Sequence, residues 1–581
     1  MSGVLSRLAG RLRTGDLVSG ISRLLALACL VGLVGMLPWL SGKDPALTIL
    51  RATSSDREPT PEILNSIRKS IGIDGGPLHV IGHWLAGAAR GDLGRSWVSG
   101  TDVGPDAVDA FGVSLSLMAA ALGVGVIVAA ALVLPALRDG LRGRPRPRGG
   151  AASAVLISLP EYLLAPILML VLAVYLRILP PFGWGSPEKV IMPALSLGLP
   201  TGGYLGGLVS DAVTATFSER WVATWSTAGI RGRPLAGAVL RRALAPLTGQ
   251  VALVVVALTG GAVAVEKIFA IPGLGRELLD AASAQDVPAL QAQILLLLAL
   301  ALTTGVIAGA VRRLLMGRAA GAGGLTAPPP VEHPGRAARV IAVSGAALLA
   351  LMVAVGIRRD PYAVVADKLA QPSAALPLGA DSLGRDVLAR VAHGAVSTVS
   401  GAVIVTVVCF VIALLVGLAP RAATGFIEVA NAAPPILAGL IVAGVSGPSA
   451  TGAAIAVAGV GWAPLASHAA GLVAENRQRP DVLLAPVLGE GRVRITLTRV
   501  LPAVVGPLAR HAALRLPGKA LALAALGFLG LGAQSPAPEW GLVLSDALPY
   551  IERAPWAVAT PAAALVILSI TSVAASRSMR R

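Results

Sequence analysis

The sequence is poor in charged residues, in lysine and in cysteine. Only 14% of its 581 residues are charged, against about 25% in soluble domains. Hydrophobic residues make up 55% of the chain, and the mean hydropathy is +0.75. A chain of this composition is solvated largely by something other than water, and its length predicts two or more units.

Cysteine and lysine are too rare, or lie in the wrong sequence context, for a disulfide, a metal site or a nucleotide-binding loop. Cys29 and Cys409 both lie inside apolar runs, so neither a disulfide nor a metal framework is predicted. None of the six lysines stands in the Gly-x-x-x-x-Gly-Lys-[Ser/Thr] pattern that binds nucleotide phosphates. Lys519 follows Gly518, but it precedes Ala520 and lacks the upstream glycine. We therefore expect no catalytic residue, no metal site and no cofactor bound by this chain.

Long apolar runs are what the sequence has instead. A bilayer crossing takes about 20 mostly apolar residues, because hydrocarbon offers no partner to an exposed backbone amide. The runs predict an all-α polytopic membrane protein with about twelve transmembrane helices. The first run is expected to be retained rather than cleaved, since no small-residue cleavage site follows it. The predicted spans are 21–40, 111–137, 151–178, 191–213, 247–265, 294–315, 340–356, 396–418, 426–445, 452–473, 504–525 and 557–574.

The net charge of +17 comes almost entirely from arginine, in short segments between alternate spans. Such segments follow spans two, four, six and ten, and both ends of the chain are basic. The acidic residues are concentrated on the opposite side, above all in the loop 41–110. This distribution follows the positive-inside rule, so it favours a lipid bilayer rather than nucleic acid as the partner. We predict a multi-pass protein of the cell (inner or plasma) membrane with both termini in the cytoplasm.

The two sets of six spans carry related motifs. Gly91-Asp92-Leu93-Gly94-Arg95-Ser96 corresponds to Ala380-Asp381-Ser382-Leu383-Gly384-Arg385-Asp386, and Gly273-Leu274-Gly275 corresponds to Gly530-Leu531-Gly532. Six spans per half keep both halves in the same orientation, which indicates a parallel duplication about an axis along the membrane normal. The predicted domains are a first half at 1–316 with its external loop, a Gly/Pro/Ala-rich linker at 317–337, and a second half at 338–581.

At these motifs the sequence resembles the dipeptide/oligopeptide/nickel permeases of ABC importers, which have the type I, MetI-like fold. The first half is similar to one permease subunit, notably over 265–275, and the second half to the other, notably over 376–387 and 528–534. Both subunits are thus expected to be fused in one chain. The resemblance implies a permease that moves short peptides, with a nickel chelate or another small polar solute as the alternative. It also implies two kinds of partner: ABC ATPase subunits in the cytoplasm, which hold ATP and Mg, and an extracytoplasmic solute-binding protein.

The resemblance also assigns roles to two groups of residues. One group lies in the loops after spans four and ten, where the family docks on its ATPase, although Leu483 stands where the family has Glu. The other group lies at the external mouth, where the binding protein docks. The predicted coupling residues are Thr224, Ala228, Gly229, Arg241, Arg242, Ala485, Gly489, Arg499, Leu501 and Pro502. The predicted mouth residues are Asp92, Gly94, Gly273, Leu274, Gly275, Asp381, Gly384, Arg385, Asp386, Gly530, Leu531 and Gly532.

Ionisable residues inside predicted spans are candidates for the transport pathway, because they are costly at membrane depth. Glu161 lies about ten residues into span three, while Arg515 and Lys519 share one face of span eleven. Two interpretations of the cations remain open: they line the pathway and favour carboxylate-bearing substrates, or they pair with Glu161 or Glu428. Pairing is slightly favoured.

A secondary active transporter with 6+6 helices is the alternative function. The stretch 139–144 faintly resembles the signature loop of the major facilitator superfamily. The long external loop after span one and the external Gly-Leu-Gly turns speak against it.

Overall fold

The computed structural model describes residues 21–40, 58–70, 76–145, 150–316 and 336–578, together with 44, 46, 47, 49 and 50. In these ranges the regular secondary structure is helical, and three isolated β-bridges are the other pairing. The predicted all-α fold is confirmed. Most of the predicted linker, 317–335, and the ends of the chain lie outside the described residues.

Eight helices in the described ranges are long and apolar enough to cross a membrane. They contain predicted spans two, five, six, seven, eight, ten, eleven and twelve. The weakest of these predictions, span eleven, lies in an unbroken helical stretch of 38 residues. The eight helices are Val103–Leu141, Arg233–Phe269, Val287–Leu315, Ala338–Gly356, Val387–Gly417, Ala450–Arg477, Arg492–Leu529 and Pro555–Ala575.

The four other predicted spans are helical too, but they are shorter, broken or less apolar. Span one is the helix Ile21–Gly35, which a turn at Met36 separates from Leu37–Leu40. Span four lies in Pro187–Phe217, a helix of 31 residues. Span nine is a pair of helices, Ala423–Asn431 and Pro435–Ser446, bent by 94°. The bend coincides with Pro434 and Pro435, where neither ring can continue the preceding helix.

Span three is not the continuous helix that the sequence predicted for 151–178. It consists of Gly150–Ile157, then Glu161–Leu168, then a π-helical segment Met169–Tyr175. Pro160 has extended ψ of 147° and begins the second piece, because proline cannot donate the backbone bond that would continue the first. Glu161 is therefore in the first turn of a helix rather than in its middle, where the helix dipole favours a carboxylate.

Packing divides the chain into two compact units, each built from segments of both sequence halves. The first unit comprises Met1–Gly104, Asp280–Ala292 and Gly394–Leu542, and the second comprises Pro105–Leu279, Gln293–His393 and Val543–Arg581. The predicted domain boundaries follow the sequence repeat and stay a prediction.

In the first unit, the helices of the second sequence half pack around Leu501–Leu529. Ala450–Gly461, Ala463–Arg477 and Pro435–Ser446 all contact it. The N-terminal helix is tied in by Arg23, which binds both carboxylate oxygens of Glu428 at 2.7 and 2.8 Å. The remaining short helices of this unit are Pro61–Ser70, Pro77–Ala88, Pro420–Ala432, Pro480–Leu484 and Arg492–Ile495, with a π-helical segment Thr496–Val500.

In the second unit, glycines let Pro187–Phe217 pack closely on Val103–Leu141. A Cβ atom at Gly198, Gly202 or Gly206 would overlap Val124, Val128 or Leu132, respectively. These glycines recur every four residues, which is the small-residue spacing that brings membrane helices into contact. The remaining helices of this unit include Arg220–Thr227, Arg233–Leu244, Thr248–Phe269, Leu274–Ala284, Arg336–Gly356 and Pro555–Ser578. Trp540–Ala547 begins in the first unit and ends in the second.

Candidate functional site

The first predicted mouth segment, residues 91–96, is a tight exposed turn that precedes the helix Val103–Leu141 in the chain. The Asp92 carboxylate accepts a bond from the Gly94 backbone N–H at 2.9 Å, and Gly94 has a positive φ of 91°. Asp286 anchors the segment by accepting bonds from the Ser96 hydroxyl and from the Trp97 backbone N–H. Asp92 is exposed, so it is available to a partner on this surface.

The second predicted mouth segment has the same kind of turn but is buried in a network of charges. Asp381 accepts bonds from the backbone N–H groups of Leu383 and Arg385, both at 2.9 Å. Its other oxygen is held by the guanidinium groups of Arg385 at 2.7 Å and Arg390 at 2.6 Å. Arg390, only 1% exposed, also reaches Asp546 at 3.6 Å.

The charges of this network set the protonation of its two carboxylates. Burial alone would raise the pKa of Asp381, but the hydrogen bonds from Arg385, Leu383 and Arg390 outweigh it, so its pKa lies below the ordinary value. Burial raises the pKa of Asp546, and the more distant Arg390 and Arg385 charges offset this only in part. Asp381, Arg385 and Asp386 are thus a buried frame that fixes the turn, with Asp386 held by Arg359 at 2.8 Å.

The first Gly-Leu-Gly turn is packed around a buried carboxylate, Glu266. Ser114 donates its hydroxyl to Glu266 at 2.6 Å, and the backbone N–H of Arg276 donates at 3.0 Å. Leu274 begins a short helix, so these bonds cap the helix N-terminus. A Cβ atom at Gly273 or Gly275 would collide with the Glu266 carboxylate, which explains why both positions are glycine.

The second Gly-Leu-Gly turn has a buried carboxylate as well, but a different residue supplies it. The backbone N–H groups of Gly541 and Leu542 each donate to Glu539 at 3.0 Å, and the Thr398 hydroxyl donates at 3.3 Å. Burial raises the pKa of Glu539 to about 7, against the lowering effect of these bonds. Glu539 is therefore close to half-protonated at neutral pH.

The two carboxylates occupy matching positions in their halves. Each caps the short helix that follows a Gly-Leu-Gly turn, and each accepts a hydroxyl from the helix that follows a mouth segment. Ser114 and Thr398 are both eleven residues after the first residue of their helices, Val103 and Val387. In the repeat, however, the position matching Glu266 is Leu523. Sequence reasoning missed Glu539, although its place just before the helix Trp540–Ala547 is a capping signal.

The loop after span four, residues 218–247, is the first Arg-rich loop. Its helix Arg220–Thr227 ends in Gly229, which has a positive φ of 82°. Val222 is buried in an apolar cluster with Val213, Phe217 and Val239. On the exposed side, Trp225 packs edge-to-face on Trp221, with 5.3 Å between the ring centroids.

Four of the predicted coupling residues in this loop have defined contacts. Arg242 pairs with Glu219 at 3.2 Å. Arg241 donates to the carbonyls of Leu315 at 2.7 Å and Leu314 at 3.2 Å, which caps the C-terminal end of the helix Val287–Met316. Thr224 and Ala228 lie in the turn itself, where Ala228 donates to the Thr224 carbonyl.

The loop after span ten, residues 478–503, is the second Arg-rich loop. Arg499 binds both oxygens of Glu490, at 2.5 and 3.1 Å, and also the Asp481 carbonyl at 3.1 Å. The hydrogen bond from Arg499 holds the pKa of Glu490 below its usual value. Ala485 is buried, whereas Leu501 and Pro502 begin the long helix Leu501–Leu529. Apolar side chains point outward from the loop: Leu483, Leu484, Val487, Leu488 and Val493.

In both Arg-rich loops, the first short helix is followed by the same backbone turn. In the first, Gly229 donates to the Ser226 carbonyl and Ile230 donates to the Trp225 carbonyl. In the second, Gly489 donates to the Pro486 carbonyl and Glu490 donates to the Ala485 carbonyl. This pair of bonds around a left-handed glycine is the Schellman motif. Gly229 and Gly489 thus have matching hydrogen bonds and nearly equal φ values of 82° and 81°.

The predicted pathway residues fall into different surroundings. Glu161 lies against Gly261, whose Cβ would stand 2.7 Å from the Glu161 carboxylate. Arg515 donates to His511 at 3.1 Å, and Lys519 is buried near Cys409 and Gly461. Glu428 binds Arg23 at 2.7 Å, and the pairing of the span-eleven cations with Glu161 or Glu428 stays a prediction. In the described ranges, no group of three or more His, Cys, Asp or Glu is arranged to hold a metal ion.

Comparison with known proteins supports the same architecture. Residues 150–320 and 410–580 each match the family described as binding-protein-dependent transport system inner membrane component. Together these two matches cover more than half of the chain. The chain belongs to this family. It is a multi-pass inner membrane protein and the permease component of an ABC importer, with two permease domains fused in one polypeptide, as predicted. Membership excludes the secondary-transporter alternative.

Three relatives illustrate the likeness. The chain is 36% identical over 202 residues to the peptide transport system permease protein SapC of Escherichia coli O6:H1, covering 33% of this chain and 67% of the relative. It is 35% identical over 204 residues to the di/tripeptide transport system permease protein DppC of Pseudomonas aeruginosa, covering 34% and 67%. It is 29% identical over 281 residues to the metal-staphylopine import system permease protein CntB of Staphylococcus aureus, covering 48% and 89%.

Proposed function

We propose that this fused permease imports short peptides, which an extracytoplasmic binding protein delivers to the mouth segments. Partner ATPase subunits bind ATP and Mg and act on the two Arg-rich loops, which lie in the cytoplasm together with both termini. The chain itself binds no cofactor and catalyses no reaction. ATP-driven movement of the loops opens the pathway alternately to the two sides.

The single observation that carries the proposal is the pair of Arg-rich loops with matching turns. Each loop presents a rigid turn closed by a left-handed glycine, Gly229 or Gly489, and braced by an arginine–glutamate pair. Each also exposes apolar side chains beside the turn, among them Trp225 and Ile230 in the first loop and Val487 and Leu488 in the second. Exposed apolar surface rimmed by charge is typical of a protein interaction site.

The distribution of charge supports the assigned sides. The Arg-rich loops bear the positive-inside pattern, whereas Asp92, Asp102 and Asp106 lie in or just after the first mouth segment, at the N-terminal end of the helix Val103–Leu141. Two of the relatives are named as peptide or di/tripeptide permeases, which supports peptide as the substrate.

Co-purification and ATP-dependent uptake test the proposal together. The tagged full chain, extracted from its own membrane, is expected to elute with an ATPase subunit. In proteoliposomes with that subunit and the binding protein, uptake of labelled di- and tripeptides is expected to require ATP. Uptake driven by a proton gradient without ATP would overturn the mechanism.

A metal chelate is the second candidate substrate. The support is the likeness to the metal-staphylopine permease, which covers 48% of this chain and 89% of that relative. Uptake of a nickel or zinc chelate without peptide uptake, in the same proteoliposomes, would replace peptide by chelate as the substrate.

A further inference from the structure

Four basic side chains form a column inside the first compact unit, on the helix Leu501–Leu529 and its neighbour Ala463–Arg477. His511, Arg515 and Lys519 recur every fourth residue, so they line one helix face over about 12 Å. His468 stacks on His511, with ring centroids 4.2 Å apart and planes inclined by 23°. We call these four residues the basic column.

The contacts within the column join its members into one electrostatic group. Arg515 donates from Nε to Nε2 of His511 at 3.1 Å, so that nitrogen of His511 carries no proton. The Arg515 charge also acts on His468 and on Lys519. The positive charges of Arg515 and Lys519 repel each other, and an anion placed near both would relieve the repulsion.

The column lies on the face of the helix that packs against protein. Val504, Leu508 and Ala512 on the same face are buried, and Lys519 is only 6% exposed. Arg515 is nevertheless exposed, and His468 and His511 are partly exposed. Arg515 is thus accessible on the protein-facing side of a span, at a depth where a cation facing lipid would be costly. An accessible charge on this side suits a polar solute better than it suits a lipid chain.

We propose that the basic column is a carboxylate-binding subsite for the transported solute, with Arg515 making the principal contact. This inference rests on the proposed function and adds the chemical class of group that the permease itself selects. For a short peptide, the group is the free C-terminal carboxylate. The planar guanidinium matches a carboxylate in a two-bonded geometry, and buried Lys519 contributes a second positive charge.

Paired peptides test the subsite in the reconstituted importer. Each pair has one sequence and ends in either a free carboxylate or an amide, and the measured quantity is the ratio of their ATP-dependent uptake rates. Arg515→Gln is expected to reduce the preference for the free acid about tenfold, the effect of losing one charge-assisted hydrogen bond. The same binding protein is used with every variant. Its own preference for the free acid or the amide therefore affects all the ratios equally, and it cancels when variants are compared.

Arg510→Gln is the matched control, because Arg510 is an exposed arginine about 140° around the same helix. It is expected to keep the wild-type ratio. An unchanged ratio in Arg515→Gln, or an equal change in both variants, would overturn the subsite.

A second measurement separates failure of the subsite from failure of the peptide proposal. The purified full chain in detergent is melted in sodium acetate and in sodium chloride at equal ionic strength. Acetate is expected to raise the Tm of the wild type and of Arg510→Gln above the chloride value, but not that of Arg515→Gln. If acetate has no specific effect on the wild type, the subsite is wrong. If the effect is present but no peptide is imported, the subsite stands and the substrate is another carboxylate.

Discussion

At the scale of single residues, the two buried carboxylates are the most informative feature. Glu266 and Glu539 come from different places in the two halves, yet each receives a hydroxyl and backbone N–H groups in the same arrangement. A buried carboxylate is costly unless such donors surround it. The same set of donors surrounds the carboxylate at the Gly-Leu-Gly turn of each half, whichever residue supplies the acid.

Stability should depend on pH through Glu539. Its pKa of about 7 lies above the ordinary value of 4.5, so the folded chain holds this proton more tightly than the unfolded chain. The resulting stabilisation is complete below about pH 4.5 and is lost as pH rises through 7; it amounts to roughly 3 kcal/mol. Between pH 5 and pH 8, the Tm of Glu539→Gln is expected to fall less than the Tm of the wild type. Glu552→Gln, an exposed control, should melt like the wild type at every pH.

A carboxylate at position 523, which matches Glu266 in the repeat, should take over the role of Glu539. Leu523 stands one helical turn before Gly527, whose Cβ would overlap the Glu539 carboxylate, so Leu523→Glu can point its acid toward the same donors. Glu539→Gln is expected to lower ATP-dependent uptake several-fold, and the double variant with Leu523→Glu should recover most of it. Leu521→Glu, on another face of the helix, is the control that should not rescue. Equal rescue by both would contradict a specific site.

At the scale of elements, the two Arg-rich loops share a backbone turn but differ in surface. The first exposes Trp225 and Ile230, each 37% exposed. The second exposes more apolar surface, with Val487 at 82% and Leu488 at 74%. Leu483, at the position where the resemblance places Glu, is exposed as well and adds to this apolar surface.

A charge on the apolar surface of the second loop should uncouple ATP hydrolysis from transport. Leu488→Asp places a carboxylate where burial against the ATPase would require its desolvation. Uptake is expected to fall by an order of magnitude while the Tm of the purified chain stays within about 1 °C, since Leu488 makes few contacts within the chain. Gln478→Asp adds the same charge at an exposed position outside the apolar surface, and it should leave uptake unchanged. Loss of uptake in both variants would point to charge alone.

At the scale of the whole molecule, a single chain carries two permease domains. The family matches fall at 150–320 and 410–580, one in each predicted half. Packing follows another division, because each compact unit draws segments from both halves. Fusion therefore fixes the one-to-one ratio of the two sequence halves. Each compact unit needs both halves, because each contains segments from both.

Accessibility to labels should place the mouth and the Arg-rich loops on opposite sides of the membrane. Single cysteines at Ser99 and Val487, both exposed, are introduced into a chain with Cys29→Ser and Cys409→Ser. In intact cells, or in spheroplasts where an outer membrane blocks the reagent, a membrane-impermeant maleimide should label Ser99→Cys at once. It should label Val487→Cys only after the cells are opened. The reverse pattern would invert the proposed topology.

Sequence alone determined the membrane class, the positions of eight of the twelve predicted spans, the duplication and the Arg-rich loops, because apolar length and charge are properties of contiguous residues. Tertiary structure alone decided that span three breaks at Pro160, that Glu428 binds Arg23, that Glu539 takes the place of an absent Glu at 523, and that His468 joins the column on span eleven. These contacts join residues that are distant in the chain or depend on where a helix begins. Packing and hydrogen bonding determine these contacts, and neither can be inferred from a local sequence pattern.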